Sequence, residues 1–417
     1  MNKTNSISFV KKHFSLIDSP IKYVKKIHTP IVSQYLDVRR QDIEEGDKET
    51  EEDEGRRERI LCNRQCTAVY NTGMKKIRVA INGLGRIGRA FVRLSQDNDA
   101  IDIVAINDLS DTENLAYLLR RDTVYRTAPF DVAHTENSLH IAGKEIPVSA
   151  EKNPEQLPWK QHEVDVVVEA TGVFTKYATA KAHLAAGAKR VVITAPVKDD
   201  PEAAGVTGAT VLMGVNNDAL KVCDISSNAS CTTNAGSPLI AILDEGLGIE
   251  KALLNTIHGY TSSQSLVDGP SSRKNDPRRG RAAAQNIVPS STGAATATTK
   301  ALTQLDGLFD GVAVRVPVLV GSLVDITFVA KRDTSTQEVN EILTAAGNEA
   351  RWQGIFRATD EPLVSSDIIG DIHASIADLS YTRVAGGNLV KVFAWYDNEV
   401  GYTNALLKHV IETGKYV

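Results

Sequence analysis

The sequence predicts an α/β fold: a doubly wound parallel sheet, joined near residue 231 to an α+β region whose sheet is mostly antiparallel. Three observations carry this. Short β-like runs alternate with helical patterns between residues 77 and 194, and the first run passes into its helix through a Gly-x-Gly-x-x-Gly turn. Beyond residue 231 strand-like runs follow one another with fewer helices between them. Alternation of this kind builds parallel strands with helical crossovers, whereas closely spaced strands favour antiparallel pairing.

The first β-like run, 77–82, ends at Gly83-Leu84-Gly85-Arg86-Ile87-Gly88, and an amphipathic pattern follows over 87–97. Gly83 permits the tight turn, Gly85 lets backbone approach a pyrophosphate, and Gly88 allows the helix to pack closely on the strand. The second run, 102–107, ends at Asp108, about twenty residues beyond the turn, the spacing of an acid that binds a ribose hydroxyl. A carboxylate there repels a 2′-phosphate, which argues for NAD over NADP. Helical patterns at 112–120 and 176–186 alternate with β-like runs at 164–169 and 190–194. In such a sheet the ligand lies outside the carboxyl ends of the strands.

The next element starts within residues 226–234, Ser-Ser-Asn-Ala-Ser-Cys-Thr-Thr-Asn, which open an apolar helix-like stretch near 234–246. Backbone N–H groups at a helix start stabilise negative charge, so the expectation is a Cys231 pKa below the ordinary value of roughly 8.5. His258, at the end of the strand-like run 252–259, is the leading partner base, because imidazole titrates near neutrality. A lone cysteine and a distant histidine would more often be structural. The dinucleotide turn upstream gives the pair a chemistry: a thiolate adds to an aldehyde, hydride passes to a nicotinamide, and a second nucleophile, water or phosphate, cleaves the thioester. Strand-like runs at 312–319 and 322–331, and helical patterns at 292–304 and 336–349, complete the second region.

The glycine turn, Ser-Asn-Ala-Ser-Cys-Thr-Thr-Asn at 227–234, His-Gly-Tyr-Thr at 258–261, Pro-Ser-Ser-Thr-Gly-Ala-Ala at 289–295 and Trp-Tyr-Asp-Asn-Glu-Val-Gly-Tyr at 395–402 occur in order from about residue 75 onward. Together they resemble the type I phosphorylating glyceraldehyde-3-phosphate dehydrogenase family. The resemblance implies a Rossmann NAD-binding domain at 74–226, a catalytic domain at 227–396, and a last helix at about 399–414, within 397–417, that returns to the nucleotide domain. It implies Cys231 as nucleophile and His258 as the acid/base. Thr261 and Arg315 match the site for the C3 phosphate of glyceraldehyde 3-phosphate. Ser230, Thr232, Thr292 and Gly293 match the site for inorganic phosphate, with Arg279 adding to the anion field. For NAD, Gly83, Gly85, Arg86, Ile87 and Gly88 match the pyrophosphate turn and Asp108 the adenosine ribose. Asn398 matches the contact to the nicotinamide carboxamide, and Thr171, Gly172, Thr194 and Tyr402 also fall at cofactor positions. The family further implies a cytoplasmic homotetramer.

Two departures stand out. Many members carry a second cysteine four residues after the nucleophile, where this chain has Ala235, so a local disulfide trapping Cys231 cannot form. The segment 267–277 follows a Gly-Pro-Ser variant of the family's long loop, which leaves the inference to NAD resting mainly on Asp108. Erythrose-4-phosphate dehydrogenase shares the thiol and nucleotide motifs and is the alternative reading. Semialdehyde dehydrogenases are disfavoured by Asp108 and by Thr292-Gly293. Binding to RNA or protein partners through the nucleotide crevice is a secondary role, with no dedicated nucleic-acid motif to carry it.

A net charge of −5 over 417 residues gives no electrostatic case for nucleic acid or an anionic membrane. No apolar run reaches the roughly 18 residues of a membrane-spanning helix. No metal site is expected. Of four cysteines, Cys62, Cys66, Cys223 and Cys231, none has an obvious partner, which suits a reducing compartment. Residues 1–73 are lysine-rich early and dense in Asp, Glu and Arg over 42–58, the composition of a solvated, disordered segment. They lack the arginine-rich, acid-poor character of a mitochondrial presequence and the apolar core of a secretory signal. The expectation is a dispensable or non-native extension ahead of Met74.

Overall fold

Apolar β-branched runs spaced by amphipathic helices build the first sheet, as the sequence predicts. The computed structural model describes residues 75–271 and 276–417. The expectations for residues 1–73, including Cys62 and Cys66, and for positions 272–275 of the 267–277 loop lie outside the described residues.

The first sheet has nine strands, in the order Gly208–Thr210, Ile225–Ser227, Arg190–Ile193, Val166–Glu169, Ile77–Asn82, Ile101–Asn107, Lys144–Ser149, Ser138–Ile141 and Val132–His134. The first seven run parallel, and the last two add antiparallel hairpins that the sequence reading missed. Val79, Ala80 and Ile81 on the central strand are buried on both faces, the mark of a parallel strand covered by helices. Strand order reverses beside Ile77–Asn82: the next strand in sequence, Ile101–Asn107, lies on one side and Val166–Glu169 on the other. That reversal opens a crevice at the carboxyl ends.

The second sheet has seven strands: Val288–Ser291, Phe309–Val316, Ile249–Gly259, Ser322–Ala330, Leu389–Tyr396, Ser375–Ala385 and Phe356–Thr359. Ile249–Gly259 pairs parallel with Phe309–Val316, and Phe356–Thr359 with Ser375–Ala385; the other pairings are antiparallel. Along Ser322–Ala330 every second residue is buried, so Val324, Ile326 and Phe328 share one face. The Cys231–Leu247 helix covers that face through Leu239, Ile240 and Leu243. Gly236 permits the close approach, since a Cβ there would lie 2.9 Å from Leu254 Cδ1. Fully burying one such aliphatic side chain contributes about 1.5–3 kcal/mol, so this helix is held by tertiary packing rather than by propensity.

Several elements differ from expectation. The pattern at 176–186 divides into Tyr177–Ala180 and Ala182–Ala185 by a local tightening at Lys181, which keeps helical angles (φ −61°, ψ −16°). The pattern at 292–304 shortens to Ala294–Thr299 and a 3₁₀ turn at Thr303–Leu305. Its threonines bond back to the backbone, Thr298 to Ala294 O and Thr299 to Thr296 O, a habit that weakens helix interiors. The strands after residue 355 escaped notice because charged residues such as Asp378 and Arg383 interrupt their apolar alternation. Among the described residues no helix is long and apolar enough to cross a membrane.

The C-terminal helix, Val400–Gly414, packs on the Arg86–Ser95 helix, and its Leu406, Leu407 and Val410 join the core of the first sheet. Fully buried in it is His409, which donates from Nδ1 to Asn228 Oδ1 at 3.0 Å and accepts from Ser226 Oγ at 2.7 Å. Burial pulls its pKa from 6.5 to about 3. The unfolded chain therefore binds a proton that the fold refuses, so this contribution is intact above pH 6.5 and is lost as pH falls toward 3. At pH 5 the loss is about 2 kcal/mol. We expect the drop in melting temperature between pH 7.5 and pH 5 to shrink in His409→Gln; an undiminished drop assigns the acid sensitivity elsewhere.

Candidate active site

The crevice at the carboxyl ends of the first sheet is shaped by the glycine turn. Gly83 has φ +96°, and a Cβ there would lie 2.8 Å from Thr171 N; a Cβ on Gly88 would collide with Gly83 O. Gly85 differs, because a Cβ added to it would meet nothing within 4 Å, and its backbone faces open space. The cleft beside it is about 480 Å³ and is lined by Asn82, Gly83, Gly85, Asp108, Thr171 and Phe174, among others. Arg86 and Ile87 open the first helix. Asp108 accepts from Leu84 N at 2.7 Å and Ser110 N at 2.9 Å, which holds its carboxylate against the turn. Thr171 and Gly172 (φ +72°) form the exposed turn after Val166–Glu169, and Thr194 bonds Glu169 O at 3.0 Å at the end of its own strand. Bare backbone, a carboxylate and an apolar wall fit a dinucleotide: the turn would hold the pyrophosphate and Asp108 a ribose.

Beneath the cleft runs a buried polar chain that sequence reasoning missed. Asn107 donates to Asn82 Oδ1 at 2.7 Å, and Asn82 donates to Glu169 Oε2 at 2.6 Å. His183 Nε2 lies 3.0 Å from Glu169 Oε2, while Trp159 Nε1 donates to His183 Nδ1 at 3.0 Å. The Trp159 donor makes Nδ1 an acceptor, so Nε2 carries the proton toward Glu169. Glu169 also accepts from Thr171 N at 2.9 Å and from the Thr171 hydroxyl, fixing the cleft wall. The available signal was polar residues at the ends of apolar strands.

The thiol sits where the two sheets meet in sequence. After Ile225–Ser227 the chain bends at Ala229 (φ +53°), Ser230 accepts from Thr233 N at 3.2 Å as the helix cap, and Cys231 is the first helical residue. Its Sγ lies 3.2 Å from Nε2 of His258, which occupies the end of Ile249–Gly259. His258 is buried, with the Tyr396 ring edge-to-face at 5.9 Å between centroids. Gly259 O lies 2.6 Å from His258 Nδ1, and Arg315, paired with His258 across the strands, reaches the same carbonyl at 3.0 Å and stands 2.7 Å from Nδ1. A carbonyl only accepts and a guanidinium only donates, so the two compete for Nδ1; when Nδ1 carries its proton toward Gly259 O, the Nε2 lone pair faces the sulfur.

The electrostatics correct the expectation of a thiol acidified by its helix. Burial pushes the Cys231 thiol up, and the opposing pulls of Arg315 and the Thr232 N–H do not overcome it. Burial, then the charge of Arg315, pulls His258 down from 6.5 to about 3. Both groups rest neutral, and the thiolate arises by proton transfer along the 3.2 Å contact, which creates two facing opposite charges instead of one isolated one.

The anion-binding candidates gather less completely. Thr261 Oγ1 contacts Ser263 Oγ at 2.9 Å, and Arg315 lies against His258 as described. Arg279 is buried, bonded to Asp276 and Ser290 at 3.0 Å and to Ser263 at 2.8 Å, so it neighbours Thr261 through Ser263. Thr292 accepts from Ala294 N at 3.2 Å, and Gly293 precedes a helix that meets the Cys231 helix through Ser237 and Thr298, 2.9 Å apart. Ser230 Oγ faces Thr233 Oγ1 at 2.7 Å. Thr232, buried, has its hydroxyl 3.0 Å from Tyr396 Oη, and both its backbone N–H and its hydroxyl lie beside the Cys231 sulfur. Asn398 Oδ1 accepts from Gly321 N at 3.2 Å and Ser322 Oγ at 2.9 Å, and Tyr402 donates to Ala229 O at 3.3 Å, bracing the bend before Cys231. Among the described residues no group of three or more His, Cys, Asp or Glu is arranged to hold a metal.

Residues 77–177 match the model of the glyceraldehyde 3-phosphate dehydrogenase NAD binding domain, and residues 230–398 match that of the glyceraldehyde 3-phosphate dehydrogenase C-terminal domain. The glyceraldehyde-3-phosphate dehydrogenase of Streptomyces coelicolor is 45% identical over 341 residues, 81% of this chain and 98% of the relative. That of Thermotoga maritima is 48% identical over 333 residues, 79% of this chain and 97% of the relative. The chain belongs to the glyceraldehyde-3-phosphate dehydrogenase family. The two family spans take in the glycine turn, Asp108 and Thr171 on one side and Cys231, His258, Arg315 and Asn398 on the other. For a family member with this geometry, replacing His258 by Asn removes the proton acceptor at the sulfur. The expected result is slower alkylation of Cys231 by iodoacetamide at pH 7 and turnover lower by about 10²–10⁴-fold; an unchanged alkylation rate assigns the thiolate to the helix terminus instead.

Proposed function

We propose that this chain catalyses the NAD-dependent oxidative phosphorylation of glyceraldehyde 3-phosphate to 1,3-bisphosphoglycerate, as a step of glycolysis and gluconeogenesis. The observation that carries the reading is the Cys231–His258 contact at 3.2 Å in a family member whose dinucleotide turn is intact. NAD, when bound, supplies the hydride acceptor. Cys231 Sγ attacks the aldehyde carbon while His258 Nε2 takes the thiol proton and returns it to the carbonyl oxygen, giving a hemithioacetal. His258 then removes the hydroxyl proton as hydride leaves the carbon, giving a thioester on Cys231. An inorganic phosphate oxygen attacks the thioester carbon, and the sulfur departs as thiolate. Arg315 and Thr261 hold the C3 phosphate. Ser230, Thr232, Thr292 and Gly293 receive the attacking phosphate, binding it through neutral donors that add no charge beside the nucleophile. Gly83, Gly85, Arg86, Ile87 and Gly88 hold the pyrophosphate through backbone, Asp108 the adenosine ribose, and Asn398 the nicotinamide carboxamide. Thr171, Gly172 and Thr194 wall the cleft.

In this reading residues 74–226 form the NAD-binding domain, 227–396 the catalytic domain, and 397–417 the returning helix. A cytoplasmic homotetramer is supported by two features. Leu253, Val312, Leu266, Val267 and Ile287 are large apolar residues left exposed, which association with further copies would cover. Cys223 and Cys231 are both free, as a reducing compartment keeps them.

Initial rates of NADH formation test the reading. We expect turnover of glyceraldehyde 3-phosphate to require phosphate or arsenate, and its kcat/KM to exceed that for erythrose 4-phosphate. The reverse order would assign the chain to erythrose-4-phosphate oxidation. In Cys231→Ser, NAD binding should persist while turnover nearly vanishes, because a hydroxyl ionises far less than a thiol; appreciable residual turnover would remove Cys231 from the role of nucleophile.

A further inference from the structure

The Arg86 side chain does not face the cleft's phosphate-binding backbone. Its Nε donates to Glu399 Oε1 at 2.9 Å, its Nη2 to Glu399 Oε2, and its Nη1 to Asp122 Oδ2. One cation thus answers two carboxylates that are themselves largely buried, with side chains 15% and 6% exposed. The guanidinium also lies over the Tyr125 ring, 5.6 Å from its centroid. Tyr125 Oη in turn donates to both oxygens of Asp397, at 2.8 and 3.0 Å. Asp397 is fully buried and accepts from Gly370 N at 2.8 Å and from Glu399 N and Val400 N at 2.9 Å, capping the C-terminal helix. Asn398 stands between Asp397 and Glu399. Both of its chain neighbours are therefore tied to the segment 86–125, while its own Oδ1 is held by Gly321 and Ser322 of the second sheet. With Oδ1 occupied by donors, its amide NH₂ is the group left to serve a ligand.

We propose that Arg86 and Glu399 form a clasp that positions Asn398, so that the pyrophosphate turn and the nicotinamide end of the cofactor site are mechanically one unit. This rests on the reading of Asn398 as the carboxamide contact. The clasp works by geometry: the bidentate fork fixes Glu399 in both distance and plane, which a point charge would not do. Displacing a group that orients reactants by about 1 Å costs as much as 10²-fold in rate, so a positioning residue that never touches the cofactor still shows in kcat. It also explains why a positively charged residue in a phosphate-binding turn leaves the phosphate to backbone N–H groups: its charge is already committed to Glu399 and Asp122.

The test compares NAD with ADP-ribose, which shares the adenosine and pyrophosphate but lacks nicotinamide, by calorimetric titration of the full-length enzyme. Glu399→Gln preserves size and one acceptor for Arg86 but loses the charged fork. We expect its ADP-ribose affinity to be unchanged, its NAD affinity to fall about fivefold or more, and kcat to fall while KM for the aldehyde stays level. Arg86→Lys, which keeps charge but not planarity, should move the same quantities in the same direction. Asn398→Ala checks the underlying reading and should likewise lower NAD but not ADP-ribose affinity. Unchanged discrimination in Asn398→Ala would overturn the assignment of Asn398 and with it the clasp. A normal response in Asn398→Ala beside equal weakening of both ligands, or no weakening of either, in Glu399→Gln and Arg86→Lys would overturn the clasp alone.

Discussion

The site depends on one contact, Cys231 Sγ to His258 Nε2 at 3.2 Å, which joins the first turn of the helix that leaves the first sheet to the end of a strand of the second. The helix begins just after the last parallel strand, and its apolar face is pressed on the second sheet by Leu239, Ile240 and Leu243. The strand is held in register by its parallel neighbour, which places Arg315 opposite His258. Neither partner is free to drift: Ala229 is braced by Tyr402, and the imidazole by Gly259 O and the Tyr396 ring. Packing of the whole second sheet is thus what sets a distance of chemical importance.

Enclosure has two opposed consequences at this contact. It holds sulfur and imidazole in contact, and it disfavours every isolated charge, raising the thiol and lowering the imidazole. Arg315 acts differently on the two: its charge favours a thiolate, offsetting part of the rise, and disfavours an imidazolium, adding to the fall. An ion pair formed within the contact is the charged state that escapes most of the desolvation penalty. A substrate phosphate drawn toward Arg315 would offset that cation and let His258 hold a proton more readily, which ties proton transfer to substrate arrival.

What could be read from the chain followed how local each signal was. The glycine turn and the apolar runs around it are local in sequence and emerged as expected, down to the bounds of Ile77–Asn82, and Asp108 lies against that turn. Cys231 and His258 were legible because each sits in a short motif, although their meeting is a product of topology. The acidity of Cys231 was misjudged because a helix start is visible in sequence and burial is not. The Thr232 hydroxyl meets Tyr396, 164 positions away, a contact that no local motif announces. The Glu169–His183–Trp159 chain and the Arg86–Glu399 clasp, the latter spanning 313 positions, join residues whose types alone announce nothing.

The most direct measurement follows the acyl group. Enzyme mixed with NAD and glyceraldehyde 3-phosphate in the absence of phosphate, quenched in acid and digested, should yield the peptide containing Cys231 with the mass of a 3-phosphoglyceroyl thioester, and phosphate added before the quench should remove that mass. Turnover without any acyl adduct on Cys231, or an adduct on another residue, would contradict the account.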